Sequence, residues 1–322
     1  MNKDKALFRL EREKLLLTGE IPRLFMKYAL PGVVGLLFLG IQSVIDGIVL
    51  GRFVGANALA SVNLVLPCYS LISAFAIVMG IGGQTLVSIS LGRGDKQEAN
   101  NALRSVFVFL LGMSVVVSLV IFLSAGKIAS FLGANEVLLP DAVHYIRALV
   151  PFFPLLCAMF FGDYIIKAMG HPLYATSVMG MTVVLNIVLD LVFVAVLGWG
   201  VMGAGLATGI AFTMGACFNV PRLFSRHEVV AVQRGRYDRR LVWNAFYNGS
   251  SEGMSELSVA ITVFLFNITM MRYLGESGVA AFTAINYILF IGTTVFLGIS
   301  DGIIPIIGYN FGARQQGRIK SI

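Results

Sequence analysis

Charge is what this sequence has least of. Only 13% of its 322 residues are Asp, Glu, Lys or Arg, against about a quarter in a soluble domain, so an ordinary water-soluble fold is excluded. Cysteine and histidine are scarce too, with three of each. Cys68, Cys157 and Cys217 lie in apolar runs, without the spacing of a metal site or redox pair; they read as small buried packing residues. His144, His171 and His227 fall at run ends or in a loop, with no ligand spacing. The phosphate-binding pattern Gly-x-x-x-x-Gly-Lys-Ser/Thr is missing, so ATP coupling within the chain is not expected. No nucleophile stands with a base, so the chain is not read as an enzyme. No run alternates like a barrel strand. Residues 1–20 mix acids and bases, and the first apolar run is too long for a cleavable signal.

What is present is apolar. Hydrophobic residues make up 57% of the chain and mean hydropathy is +0.84, which describes a polytopic membrane protein. The apolar runs are about 23–50, 58–91, 103–124, 138–168, 172–197, 201–221, 241–271 and 278–311. Each has the roughly 20 residues needed to cross a core of about 30 Å. Without water the backbone must satisfy itself, so these are helices, and the fold class is all-α integral membrane. Pro67 falls in the second run, Pro151 and Pro154 in the fourth, where breaks are expected. Residues 1–22 form a charged N-terminal segment with a patch at Leu15, Leu16 and Leu17, read either as a helix on the membrane surface or as a disordered tail.

The net charge of +7 does not signal nucleic acid, because the basic residues sit between the runs. With a cytoplasmic N-terminus, inside segments hold seven Lys or Arg up to Lys27, then Arg93, Lys96 and Arg104, then Lys167. Six Arg between 222 and 240 follow, and last Arg314, Arg318 and Lys320. Outside segments hold Arg52, Lys127 and Arg272, with Arg147 near the outer end of the fourth run. The bias alternates at every loop, as eight helices with the N-terminus inside require.

Sliding the chain by 220 residues places Arg52-Phe53-Val54-Gly55 on Arg272-Tyr273-Leu274-Gly275, Ala60 on Ala280, Gly82 on Gly302 and Gly92 on Gly312. Parallel repeats of this kind build many transporters. They divide the chain into an N-terminal segment (1–22), a six-helix N-lobe (23–221), an Arg-rich linker (222–240) and a partial C-lobe of two helices (241–322).

Inside the fifth run, Asn186 and Asp190 stand one helical turn apart on one face. A membrane-embedded acid costs about 2.5–3.5 kcal/mol on insertion scales and marks a functional candidate. At 1.5 Å per residue, Asp46 lies about 6 Å, and Asp190, Thr208 and Tyr145 about 10 Å, in from the outer ends of their helices. Four polar groups thus share one level, with Asn186 one turn deeper. Two carboxylates in one dry pocket suit a site that takes up and releases a proton. Carboxylate, amide and hydroxyl oxygens suit a small cation equally, so Na⁺ at Asp46 and Asp190 stays open beside H⁺. Glu252 and Glu256 are four apart in the seventh run and Asp301 lies deep in the eighth; these are weaker candidates. Asp163 beside Lys167 reads as an interfacial ion pair. Gly205 and Gly209 make a small-xxx-small pair expected to pack closely.

Several stretches in order carry a family resemblance. They are Ala29-Leu30-Pro31-Gly32, Val44-Ile45-Asp46-Gly47 through Gly55, Asn186-Ile187-Val188-Leu189-Asp190, Gly203-Ala204-Gly205-Leu206-Ala207-Thr208, and Pro305-Ile306-Ile307-Gly308-Tyr309-Asn310-Phe311-Gly312-Ala313. From about residue 20 onward the chain resembles the multidrug and toxic compound extrusion (MATE) family of secondary antiporters. The resemblance implies two six-helix lobes, of which this chain would lack the last four helices, as if truncated after the eighth. It implies that Asp46, Tyr145, Asn186, Asp190 and Thr208 form a cation-responsive cluster binding H⁺ or Na⁺, linked to bending of the first helix at Pro31. Some members carry a second-lobe acidic site, to which Glu256, Glu252 and Asp301 are the candidates. The expected cargo is small organic compounds, amphipathic or cationic, with no cofactor and no nucleic acid. The chain is read as a monomer in a bacterial inner membrane. Two alternatives stay open: a lipid-linked saccharide flippase of the same superfamily, and a non-transporting membrane fragment. Flippase cavities tend to carry several Arg or Lys; here only Arg147 lies within the first-lobe helices, near an end.

Overall fold

A computed structural model describes residues 15–322; within the last long helix, the side chains of many residues between 256 and 291 lie outside the described part. The described residues are mostly helical, joined by short turns and by one longer connection between Leu223 and Arg239. The helices are α1 (Ile21–Phe53), α2 (Ala56–Gly92), α3 (Lys96–Leu123), α4 (Ala125–Phe131), α5 (Leu139–Leu149), α6 (Phe153–Ala168), α7 (Pro172–Asp190), α8 (Gly200–Leu223), α9 (Arg239–Gly312) and α10 (Gln316–Ile319). Among the described residues seven stretches are long and apolar enough to cross a membrane. They match the first six expected runs and the eighth. The seventh run falls partly on side chains outside the described part.

Proline shapes the fourth crossing. The α-helix stops at Leu149, tightens into a 3₁₀ turn at Val150–Phe152 and resumes at Phe153. Pro154 has no N–H to give the carbonyl four residues back. Ser118 of α3 replaces it, donating its hydroxyl to Val150 O at 2.5 Å. Between α2 and α3, Gly94 adopts φ 79° and the Asp95 side chain accepts from Glu98 N at 2.8 Å, an N-cap that starts α3.

The last long helix differs from expectation. Two helices, 241–271 and 278–311, were expected, yet helical backbone extends from Arg239 to Gly312 with no separating loop. The element nonetheless doubles back. A straight helix would set Ala245 and Tyr309 about 96 Å apart. Ala245 packs on Gly82, however, and Tyr309 on Gly92, points only about 15 Å apart along α2. The chain therefore reverses between Gly253 and Gly298, giving two antiparallel arms. One arm lies against α2 at Val78 and Gly82, the other against α1 at Ala29 and Val33.

Residues 15–19, the connection 222–240 and the C-terminal residues gather at one end of the bundle, termed the near face. Residues 15–18 are helical and Leu16 is buried, so the leucine patch is docked on the bundle; the rest of the expected N-terminal segment, residues 1–14, lies outside the described residues. Asn310 donates to Leu16 O at 3.1 Å, and Arg318 donates to Gly19 O at 2.7 Å. The Arg-rich connection is an ordered strap. Asn100 accepts from Ala231 N at 2.7 Å, Asn101 from Arg236 N at 2.6 Å and Ser105 from Asp238 N at 2.8 Å. Gly205 and Gly209 pack on Ala148 and Phe152, as their spacing suggested. The cysteine expectation holds in part: Cys157 is buried, Cys68 half-buried and Cys217 exposed.

Candidate functional site

The site is built where α1, α5, α7 and α8 meet in the half of the bundle away from the near face. Asp46 is seven residues before the end of α1 and Asp190 is the last residue of α7. Their side chains come within hydrogen-bonding range of each other. No donor among the described residues reaches Asp46 Oδ1 or either carboxylate oxygen of Asp190. Ionised carboxylates only accept, so while both are charged neither acid can serve the other as a donor.

Asp190 is buried: it is 1% exposed and Asn186, one turn earlier, is 0% exposed. Asn186 Nδ2 donates to Thr208 Oγ1 of α8 at 3.2 Å, leaving Asn186 Oδ1 without a partner. Directly after Asp190 the helix widens into a π-helical stretch, Leu191–Val196, an irregularity often found at functional sites. Tyr145 of α5 and Thr208 line a cavity of about 390 Å³ together with Asp46. The four residues placed at one depth from the sequence, and Asn186 one turn deeper, thus lie in this region: Asp46 against Asp190, Asn186 bonded to Thr208, and Tyr145 beside Asp46 on the cavity wall.

Gln42, Asn63, Tyr69 and Ser73 line the same cavity and sequence reasoning missed them. Gln42 carried a usable signal. It precedes Asp46 by four residues, as Asn186 precedes Asp190, and it is buried beside Asp46 with Oε1 unpartnered. Pro31 lies inside an unbroken α1, and its carbonyl accepts from Thr176 Oγ1 of α7 at 2.9 Å. A larger cavity of about 670 Å³, lined by side chains such as Phe75, Phe109 and Trp243, has no charged side chain in its lining.

Of the second-lobe candidates, neither Glu252 nor Asp301 is among the residues that line this cavity. Glu252 is half-buried on α9, next to Gly253, which packs on Val78; the side chain of Glu256 lies outside the described residues. Asp301 is elsewhere, and its place corrects the reading of Asp163. Asp163 and Lys167 are not an interfacial pair: they are 4% and 7% exposed, and Asp301 is 8% exposed. Lys167 Nζ meets Asp163 Oδ2 and Asp301 Oδ2 at 2.6 Å each. The cause is the position of α6, which is enclosed by neighbouring helices along most of its length, so neither side chain can reach the surface.

Comparison with known proteins agrees with this architecture. The family model described as MatE matches residues 31–192 and 253–322. The multidrug export protein MepA of Staphylococcus aureus (strain MSSA476) is 22% identical over 322 residues, covering 99% of this chain and 70% of the relative. A crystal structure of MATE in the straight conformation superposes with a TM-score of 0.89 at 25% identity, covering 95% of this chain and 69% of that one. A crystal structure of MATE in the bent conformation gives 0.88 at 25% identity, covering 96% and 69%. With a family match on both sides of the strap and the same helical path in solved neighbours, this chain belongs to the MatE family.

Proposed function

We propose that this protein exports small amphipathic, often cationic, organic compounds across a bacterial plasma membrane by exchange for H⁺ or Na⁺. The observation that carries the reading is the Asp46–Asp190 pair: two carboxylates in contact, with three of their oxygens given no donor. A proton shared between them, or a small cation held with Asn186 and Thr208, would satisfy the pair. Loss of that ion leaves two negative charges in contact and gives the helices a reason to move. Burial in a low-dielectric site makes this repulsion far stronger than in water.

Several further features support the reading. The cavity lining contains Asp46 and neither Lys nor Arg, which suits a cationic cargo better than the pyrophosphate of a lipid-linked saccharide. The near face, with its Arg-rich strap, is assigned to the cytoplasm by the distribution of basic residues. The lobes are taken as 23–221 and 241–322, joined by 222–240. Pro31 is the proposed bending point of α1, and solved neighbours have been captured both straight and bent.

The test is export from proteoliposomes holding the full chain, driven by a proton or a sodium gradient. Asp190→Asn should abolish gradient-driven export of a fluorescent organic cation while leaving the protein folded. Intact coupled export by Asp190→Asn would overturn the assignment.

A further inference from the structure

The cavity that holds Asp46 has a floor. Leu36, Leu39, Phe160 and Tyr164 line both this cavity and a smaller space of about 20 Å³ on its near-face side. The smaller space is bounded by Asp163, Lys167 and Asp301. Asp163 and Lys167 belong to α6, whereas Asp301 comes from the returning arm of α9. The ammonium therefore joins two parts of the bundle that are 134 residues apart in sequence.

We propose that Asp163, Lys167 and Asp301 form the near-face gate of the cavity, and that the Lys167–Asp301 contact must part before a compound enters from that face. The asymmetry of the triad makes such a gate reversible. Removing the sole partner of a buried charge is strongly unfavourable. Here Asp163, one turn before Lys167 on the same helix, stays with the ammonium when α9 moves away. Only Asp301 loses its partner, and movement of the returning arm away from α6 carries it toward water. Of the other groups facing the triad, Tyr164 places its ring 5.5 Å from Lys167 Nζ. Around the same space, α1 contributes Gly32, Gly35, Leu36 and Leu39 and α7 contributes Thr176 and Met179, none of them charged. The small glycines let α9 approach. A Cβ at Gly32 would strike the backbone of Gly298, and one at Gly302 the backbone of Tyr28 and Ala29.

The experiment measures access rather than export, so it stands apart from the identity of the coupling ion. Cys68, Cys157 and Cys217 are replaced by Ala, and Ser73→Cys places one thiol on the cavity wall. A membrane-impermeant thiol reagent is applied from the near face of the full chain in oriented vesicles. Asp301→Asn and Lys167→Met should each raise the labelling rate about tenfold, as when an open state grows from about 1% to about 10% of molecules. The exchanged pair Lys167→Asp with Asp301→Lys should restore slow labelling, and Asp163→Asn, which leaves the Lys167–Asp301 contact intact, should not raise it. Unchanged labelling in both single variants, no recovery in the exchanged pair, or an equal rise in Asp163→Asn would overturn the gate. Each variant is first shown to be monodisperse in detergent.

Discussion

Gly92 and Gly312, 220 residues apart, cross backbone to backbone at the near face. A Cβ on Gly92 would enter the backbone of Tyr309, and a Cβ on Gly312 would enter that of Ile89 and lie 3.0 Å from the carbonyl carbon of Gly92. The helices approach this closely because neither carries a side chain at the crossing, a common device between membrane helices. Gly92→Ala and Gly312→Ala should each destabilise the folded chain by about 1–3 kcal/mol through overpacking. Gly112, on α3, has nothing within 4 Å of an added Cβ, so Gly112→Ala should leave the melting temperature in detergent unchanged or raised. Equal behaviour of the three variants in a thermal melt would contradict this crossing.

The same glycines show how far the sequence could be read. The 220-residue shift paired Gly92 with Gly312 and Gly82 with Gly302 as equivalent positions, and both members of each pair turn out to face another backbone. Run lengths located the helices because the bilayer fixes them, shared depth gathered Asp46, Asp190, Thr208 and Tyr145, and the four-residue spacing to Asp190 brought in Asn186. Depth says nothing about direction around a helix axis, so Gln42 was passed over and Asp301 was weighed as a second-lobe cation ligand rather than as the partner of Lys167. The π-helical stretch after Asp190 left no trace in a uniformly apolar run. The strap was unreadable for another reason. Its order comes from side chains of α3 that accept its backbone N–H groups, and composition alone does not show where a loop's backbone bonds go.

The strap yields its own prediction. Ala231 is fully buried and its N–H is held by Asn100 Oδ1 at 2.7 Å. Asn100→Ala would strand that N–H at a cost of about 1–3 kcal/mol. Trypsin should then cut faster after Arg234 and Arg236, read by mass spectrometry of the fragments, while cleavage after Arg314 keeps its rate. Uniform acceleration at all three would mean general unfolding rather than release of the strap.

Asn186 and Thr208 make a single cross-helix hydrogen bond at 3.2 Å. Interhelical bonds in membranes are worth about 0.6–1.7 kcal/mol in double-mutant cycles. The cycle of Asn186→Ala and Thr208→Val, read as unfolding free energy in mixed micelles, should give a coupling in that range. Both single variants should also weaken export, because the freed helices no longer hold Asp190 against Asp46. A coupling of zero would place the two side chains apart in the membrane.

Asp46 and Asp190 offer the sharpest test, because contact predicts non-additivity. If one ion is shared by the pair, removing either charge already destroys the exchange step, and removing the second takes nothing more. Asp46→Asn, Asp190→Asn and the double variant should then have the same residual export rate, as residues acting as one unit do. Gln42→Ala should fall short of that loss, since Gln42 adjoins Asp46 without carrying exchangeable charge. Two independent sites would behave differently, with the double variant losing the product of the single losses. Proteoliposome export at saturating gradient, measured for the parent chain and these four variants, separates the cases. Multiplicative losses would break the link between the geometry of the pair and transport.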